Sequence, residues 1–143
     1  MFELKINVVK NFAKGGLTSP PAVGWSRPED AFVWNDGDMS TIWFAAETNE
    51  DLVKLAFVLA PNINKDSDQG QRMQVFLNGI LIGYKRFDTP GFQGADFTFP
   101  GMLLRTLNKL DFVFLDAERP AKVGGSDQRR LAAAFESVQL VVA

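Results

Sequence analysis

Hydrophobic residues recur along this chain mostly at every second position, the spacing of a strand with one buried face and one wet face. Phe2, Leu4, Ile6 and Val8 alternate with Glu3, Lys5 and Asn7, which predicts a first strand. The stretch 15–21, GGLTSPP, is a loop, because its glycines and prolines break pairing. Short strands are predicted over 31–34 and 41–45, around a turn at Asn35, Asp36, Gly37 and Asp38. A longer one over 52–59 ends at Pro61.

A polar loop, PNINKDSDQGQ, fills 61–71 and precedes strands over 73–77 and 81–87. Asn78-Gly79 joins these two, the pair that best suits a type I′ hairpin turn. Another strand is predicted over 92–99, and Met102, Leu103 and Leu104 after Pro100 predict one helical turn. Leu110, Phe112 and Phe114 alternate with Asp111, Val113 and Leu115. The segment 131–136, LAAAFE, favours helix by propensity, yet Val138, Leu140 and Val142 continue with a period of two. That end reads as a strand with an irregularity near Ser137. About eight short strands, frequent turns and no linker predict one all-β domain over 1–143, an antiparallel two-sheet β-sandwich.

Composition changes this picture mainly through what is missing. The 143 residues contain no cysteine and no histidine. Thiolate chemistry, Ser–His–Asp triads and His-ligated metals are excluded, and the chain is expected to be non-catalytic. A net charge of −2 leaves no footprint for nucleic acid, and no apolar stretch is long enough to span a bilayer. The absence of cysteine and of a visible secretory signal leads to an expected cytoplasmic location.

Two segments stand out chemically. In 24–34, GWSRPEDAFVW, Trp25 lies in a loop and is the candidate stacking face for a sugar ring, with Glu29 beside it. Trp34 and Trp43 fall on strands and are expected to fill the core. In 124–130, GGSDQRR, Asp127, Arg129 and Arg130 supply a carboxylate and two guanidinium groups. These serve either a polar ligand or a turn pinned by an ion pair, Asp127 or Glu29 with an arginine. The segment lacks the G-x-x-x-x-G-K-[ST] spacing of a phosphate loop, and the chain has no G-x-G-x-x-G. Asn62, Asn64, Asp66 and Asp68 alternate oxygen ligands but miss the EF-hand pattern, with Gln69 and Val75 at its glycine and glutamate positions. No cofactor is expected, with a structural calcium ion in that loop as the alternative to a solvated loop.

The run 74–83, QVFLNGILIG, followed by Phe97-Thr98-Phe99-Pro100 and Leu107-Asn108-Lys109-Leu110-Asp111-Phe112, resembles galactose-binding-like jelly rolls. Gly24-Trp25-Ser26-x-Pro28-Glu29 and Ser126-Asp127-x-Arg129-x-Leu131 are similar to a narrower group. That group comprises the accessory β-sandwich domains of bacterial glycosyltransferases and surface-polysaccharide enzymes. The resemblance covers about 22–142, and the chain departs from it at Ala132, where the group often has glycine. It implies a non-catalytic carbohydrate-binding or accessory module whose partners are a glycan or a glycosyltransferase-type enzyme. Trp25, Glu29, Asp127, Arg129 and Arg130 are then expected to meet at one end of the sandwich. The rival expectation is a protein-interaction or oligomer-assembly module using Phe92, Phe97 and Phe99.

Overall fold

The computed structural model describes residues 2–64, 70–118 and 128–143. Its strands form two sheets that pack face to face. The first sheet runs β1 (Phe2–Glu3), β4 (Met39–Ala45), β9 (Leu107–Phe114), β6 (Gln71–Leu77), β7 (Ile80–Phe87). The second runs β2 (Lys10–Asn11), β10 (Ala133–Val142), β5 (Leu52–Pro61), β8 (Gln93–Pro100). The short β3 (Val33–Trp34) also pairs with β10. Neighbouring strands are antiparallel except β1 and β4. Two short helical pieces complete the chain, α1 (Phe12–Gly15) and a 3-10 turn at Gly101–Leu103.

Period two accounts for the core directly. On β5, Val53, Leu55, Phe57 and Leu59 point inward, and on β9 so do Leu110, Phe112 and Phe114. The Phe57 ring lies 5.3 Å from Phe112 and 6.0 Å from Phe97 between centroids, both edge-on. Such aromatic pairs add about 0.5–1.5 kcal/mol each beyond the area they bury. Asn78 and Gly79, at φ 50° and 84°, make the hairpin turn between β6 and β7.

The last strand solves a phase problem. Phe135, Val138 and Leu140 are all buried, but positions 135 and 138 have opposite parity. The register of β10 against β5 slips between Phe135 and Ser137, and this one extra residue restores both side chains to the same face.

Two expectations are corrected. The segment 2–8 is not one strand: Phe2–Glu3 pairs with β4, and Asn7 at φ 64° then turns the chain. Ile6 bridges Leu140 of β10 and Asn7 N–H donates to the Leu140 carbonyl, so the N-terminal arm crosses from one sheet to the other. Phe97 and Phe99 are core residues on β8, whereas Phe92 is exposed and touches Phe32 at 5.8 Å. Their alternation with Asp96 and Thr98 turns them inward and leaves only Phe92 for a surface role.

Deleting Glu136, the residue left without a partner on β5, removes the bulge and forces either Phe135 or Val138 toward solvent, a loss of several kcal/mol. Glu136→Ala keeps the extra residue and should stay within about 0.5 kcal/mol of the parent. Denaturant unfolding of the two variants separates these outcomes.

Candidate functional site

The turn at 35–38 sits between the two segments singled out in the sequence and bonds both. Asp36 N–H donates to the Gly24 carbonyl at 2.8 Å, and Gly37 N–H donates to the Arg130 carbonyl at 2.9 Å. Asn35 is fully buried, and its Oδ1 accepts from the amides of Ala132 and Ala133. Its Nδ2 donates to the carbonyls of Gly37 and Arg130. Arg130 donates through Nε and Nη2 to Asp38 Oδ1, at 3.0 and 2.7 Å, and through Nη2 to the Ala117 carbonyl. Its charge partner is therefore Asp38, a residue of the turn, rather than Glu29.

Trp25, expected to stand exposed, is half-buried and packs against the core. Gly24, at φ 84°, brings its backbone so close to Met39 and Ser40 that no side chain fits there, and the chain turns Trp25 inward. The indole contacts Phe12, Phe112 and Phe135, with centroids 5.7, 6.1 and 5.2 Å away. Its Nε1–H donates to the Thr41 carbonyl at 3.0 Å. The loop tryptophan is thus an anchor for the core. Glu29 is exposed near the tip of a hairpin closed by the Trp25–Asn35 bridge. Arg129 is half-buried beside Arg130, and Asp127 lies outside the described residues.

The neighbouring polar cluster is also structural. Arg72 donates through Nε and Nη2 to the two oxygens of Asp116, at 2.9 and 2.8 Å, and its own backbone amide donates to Asp116 Oδ2. These bonds hold the Asp116 carboxyl below the ordinary carboxylate range, against the opposing effect of partial burial. Gln71 Nε2 donates to the carbonyls of Asn62 and Asp116, and its buried Oε1 has no partner among the described residues. Asn64 Nδ2 donates to Glu118, and Asn62 Nδ2 to the Leu131 carbonyl. Of the alternating oxygen ligands of the 61–71 loop, Asp66 and Asp68 lie outside the described residues. Among the described residues no group of three or more His, Cys, Asp or Glu could hold a metal ion.

Open space is found at the other end of β4, about 20 Å along the strand from Met39. Trp43 and Lys109 face each other across β4 and β9 on the outer side of the first sheet. Trp43 is half-buried outside the core, and Lys109 Nζ lies 5.9 Å from its ring centroid. The expectation that Trp43 fills the core is corrected by alternation, since Ile42 and Phe44 on either side already point inward. The same holds for Trp34, whose neighbour Val33 is buried while the indole touches Phe32. Trp43 walls a largely apolar cavity of about 350 Å³ with Phe2, Leu17, Pro20, Pro21 and Leu107. A cavity of about 360 Å³ with mixed walls is bounded by Glu3, Lys5, Glu47 and Thr106 and by Leu4, Ile6, Ala45 and Ala46. A third, about 510 Å³, is bounded by Ala46, Glu47, Thr48, Asn49, Arg105 and Thr106.

Comparison with models of known protein families gives no match, and comparison with curated protein sequences gives none either. Solved structures do share the fold. The chain matches, over 97% of its length, 18% of a GH115 4-O-methyl-alpha-glucuronidase, BtGH115A, at TM-score 0.61 and 17% identity. Over 95% of its length it matches 27% of a GH26-CBM35 beta-(1,4)-mannanase from Podospora anserina, at TM-score 0.52 and 17% identity. Over 96% it matches 19% of a Paenibacillus sp. cycloisomaltooligosaccharide glucanotransferase, at TM-score 0.51 and 10% identity. The chain therefore spans less than a third of each of these proteins.

Trp25→Ala should cost about 3 kcal/mol, read from the denaturant midpoint, because it empties a packed site. For Asp116 the sign follows from a carboxyl that titrates lower in the folded than in the unfolded chain. Its stabilisation is complete above the ordinary carboxylate pKa and fades as pH falls through the lowered one. Asp116→Asn should cost about 1–2 kcal/mol at neutral pH, and the gap to the parent should close below about pH 4. Unfolding curves at a series of pH values measure both. The chain folds as a two-sheet β-sandwich of the kind found in parts of the three matching proteins, with the largely apolar cavity beside Trp43 and a smaller polar one, of about 230 Å³, between Asn62, Asn64, Gln71, Asp116 and Glu118.

Proposed function

We propose that residues 1–143 act as a non-catalytic carbohydrate-binding module, with the saccharide seated against Trp43. The observation that carries this is an indole held outside the core on the wall of an apolar cavity with polar groups at its rim. Sugar rings present CH faces that pack on an indole, while hydroxyls bond to groups such as Lys109 and Ser19. A volume of about 350 Å³ falls within the range of small-molecule pockets. The fold shared with parts of a glucuronidase, a mannanase and a glucanotransferase supports the same reading. The absence of histidine and cysteine supports a binding role over a catalytic one. The sequence motifs further suggest service to bacterial polysaccharide assembly, with a glycosyltransferase-type enzyme as partner.

A second reading has its own observation. On β7, the edge strand of the first sheet, Ile80, Leu81 and Tyr84 are exposed, as suits a polypeptide partner pairing with a free edge.

The test is a glycan array followed by calorimetry with the native protein and Trp43→Ala. Binding to at least one glycan and a loss of tenfold or more in the variant, with an unchanged melting temperature, are expected. A blank array, or equal affinity in the variant, overturns the assignment of the site.

A further inference from the structure

The cavity beside Trp43 offers a ligand few polar groups. On one side stand Trp43 and Leu107, which share the outer face of β4 and β9. On the other is the loop that carries Leu17, Ser19, Pro20 and Pro21. Among the described residues that line it no side chain is charged, and Ser19 supplies the one hydroxyl. The loop backbone is already engaged. Ser19 N–H donates to the Gly16 carbonyl and Ala22 N–H donates to the Ser19 carbonyl. Pro20 and Pro21 between them have no N–H to give. From 19 to 22 the loop therefore has no amide left for a ligand.

Building on the carbohydrate reading above, we infer that the saccharide carries a methyl group, as 6-deoxy and N-acetyl sugars do, and that this methyl enters the cavity between Trp43 and Leu107 on the sheet and Pro20 and Pro21 on the loop. A sugar hydroxyl in that position leaves water for a wall of carbon. A hydroxyl buried without a partner costs about fivefold to a hundredfold in affinity. A methyl in the same place gains, because it removes apolar surface from water on both sides. The ring hydroxyls are then left toward the outer face of the sheet. There the Lys109 ammonium, 5.9 Å from the Trp43 ring centroid, donates, and the Asp111 carboxylate, 3.9 Å from that ammonium, accepts.

Leu107 is exposed on the sheet face, so Leu107→Thr leaves the core untouched and suits a strand, while it places a hydroxyl in the wall. The pairing of Leu107 with Ala45 is made by the backbone, which the substitution retains.

The experiment compares matched sugars by calorimetry, beside the glycan array. Each 6-deoxyhexose is paired with the hexose that keeps its C6 hydroxyl, and each N-acetylhexosamine with the corresponding hexose, in the gluco, galacto and manno series. At least one methyl-bearing sugar should bind about tenfold or more tightly than its partner. The deoxy and acetyl pairs tell the two sources of the methyl apart. In Leu107→Thr, at an unchanged melting temperature, the preference should fall to about threefold or less, and Trp43→Ala should bind neither sugar. Hydroxyl partners that bind as tightly as the methyl-bearing sugars, a Leu107→Thr variant with its preference intact, or an array that binds glycans while every paired sugar fails overturns the inference. In those cases loss of binding in Trp43→Ala still upholds the carbohydrate site. A blank array together with a silent paired set overturns both.

Discussion

Three aromatic rings, Phe12, Trp25 and Phe135, hold this structure in the form that matters. Phe12 lies 5.7 Å from Trp25 and 5.1 Å from Phe135, and Trp25 lies 5.2 Å from Phe135. Phe135 belongs to β10, whereas Phe12 and Trp25 bracket the loop that contains Gly15, Gly16, Leu17, Pro20 and Pro21. Pinning both ends of that loop to one core position leaves it a short path over the sheet surface. Trp25 Nε1–H also bonds the Thr41 carbonyl, and Val23 exchanges backbone bonds with Thr41. The loop is thereby laid beside Trp43, two residues further along β4, and the apolar cavity is the space between them. The cavity is a consequence of core packing, with most of its wall supplied by the N-terminal arm.

The two ends of the sandwich put polar residues to different uses. At one end, Asn35, Asp38, Arg130, Arg72 and Asp116 satisfy backbone groups and one another. A buried amide left without a partner costs about 1–3 kcal/mol, so Asn35, which serves four backbone groups, is held there by necessity. The other end adds a second use: Asn78 and the buried Asn108 satisfy the Leu103, Phe44 and Arg105 carbonyls and the Arg105 and Lys109 amides, while Glu47, Asn49, Arg105 and Thr106 border open cavities.

The single irregularity of β10 belongs to the same logic. Phe135 takes part in the anchor, while Val138 and Leu140 continue the core toward the far end of the strand. Without the extra residue, Glu136, one of these contacts is lost, and with it either the anchoring of the arm or the closure of the sheets. Bulge, anchor and cavity form a chain of dependence running from a backbone detail to the proposed binding surface.

Local patterning was enough to read most of the scaffold. The alternation of Leu110, Phe112 and Phe114, the Asn78-Gly79 turn and the phase break near Ser137 are decided within a few residues, because strand periodicity and positive φ are local properties. The fate of each tryptophan was not. Trp25 in a loop read as exposed, and Trp43 on a strand read as core, because indole burial depends on what arrives from elsewhere in the chain. Alternation around Ile42 and Phe44 carried a signal that Trp43 faces outward, but nothing local placed Pro20 and Pro21 across from it. Arg130 likewise had several acids within reach in principle, and the turn at 35–38 decided for Asp38. Hydrophobic period and turn chemistry are written residue by residue; a cavity is written only when separate segments converge, since its walls come from parts of the chain that have no common pattern.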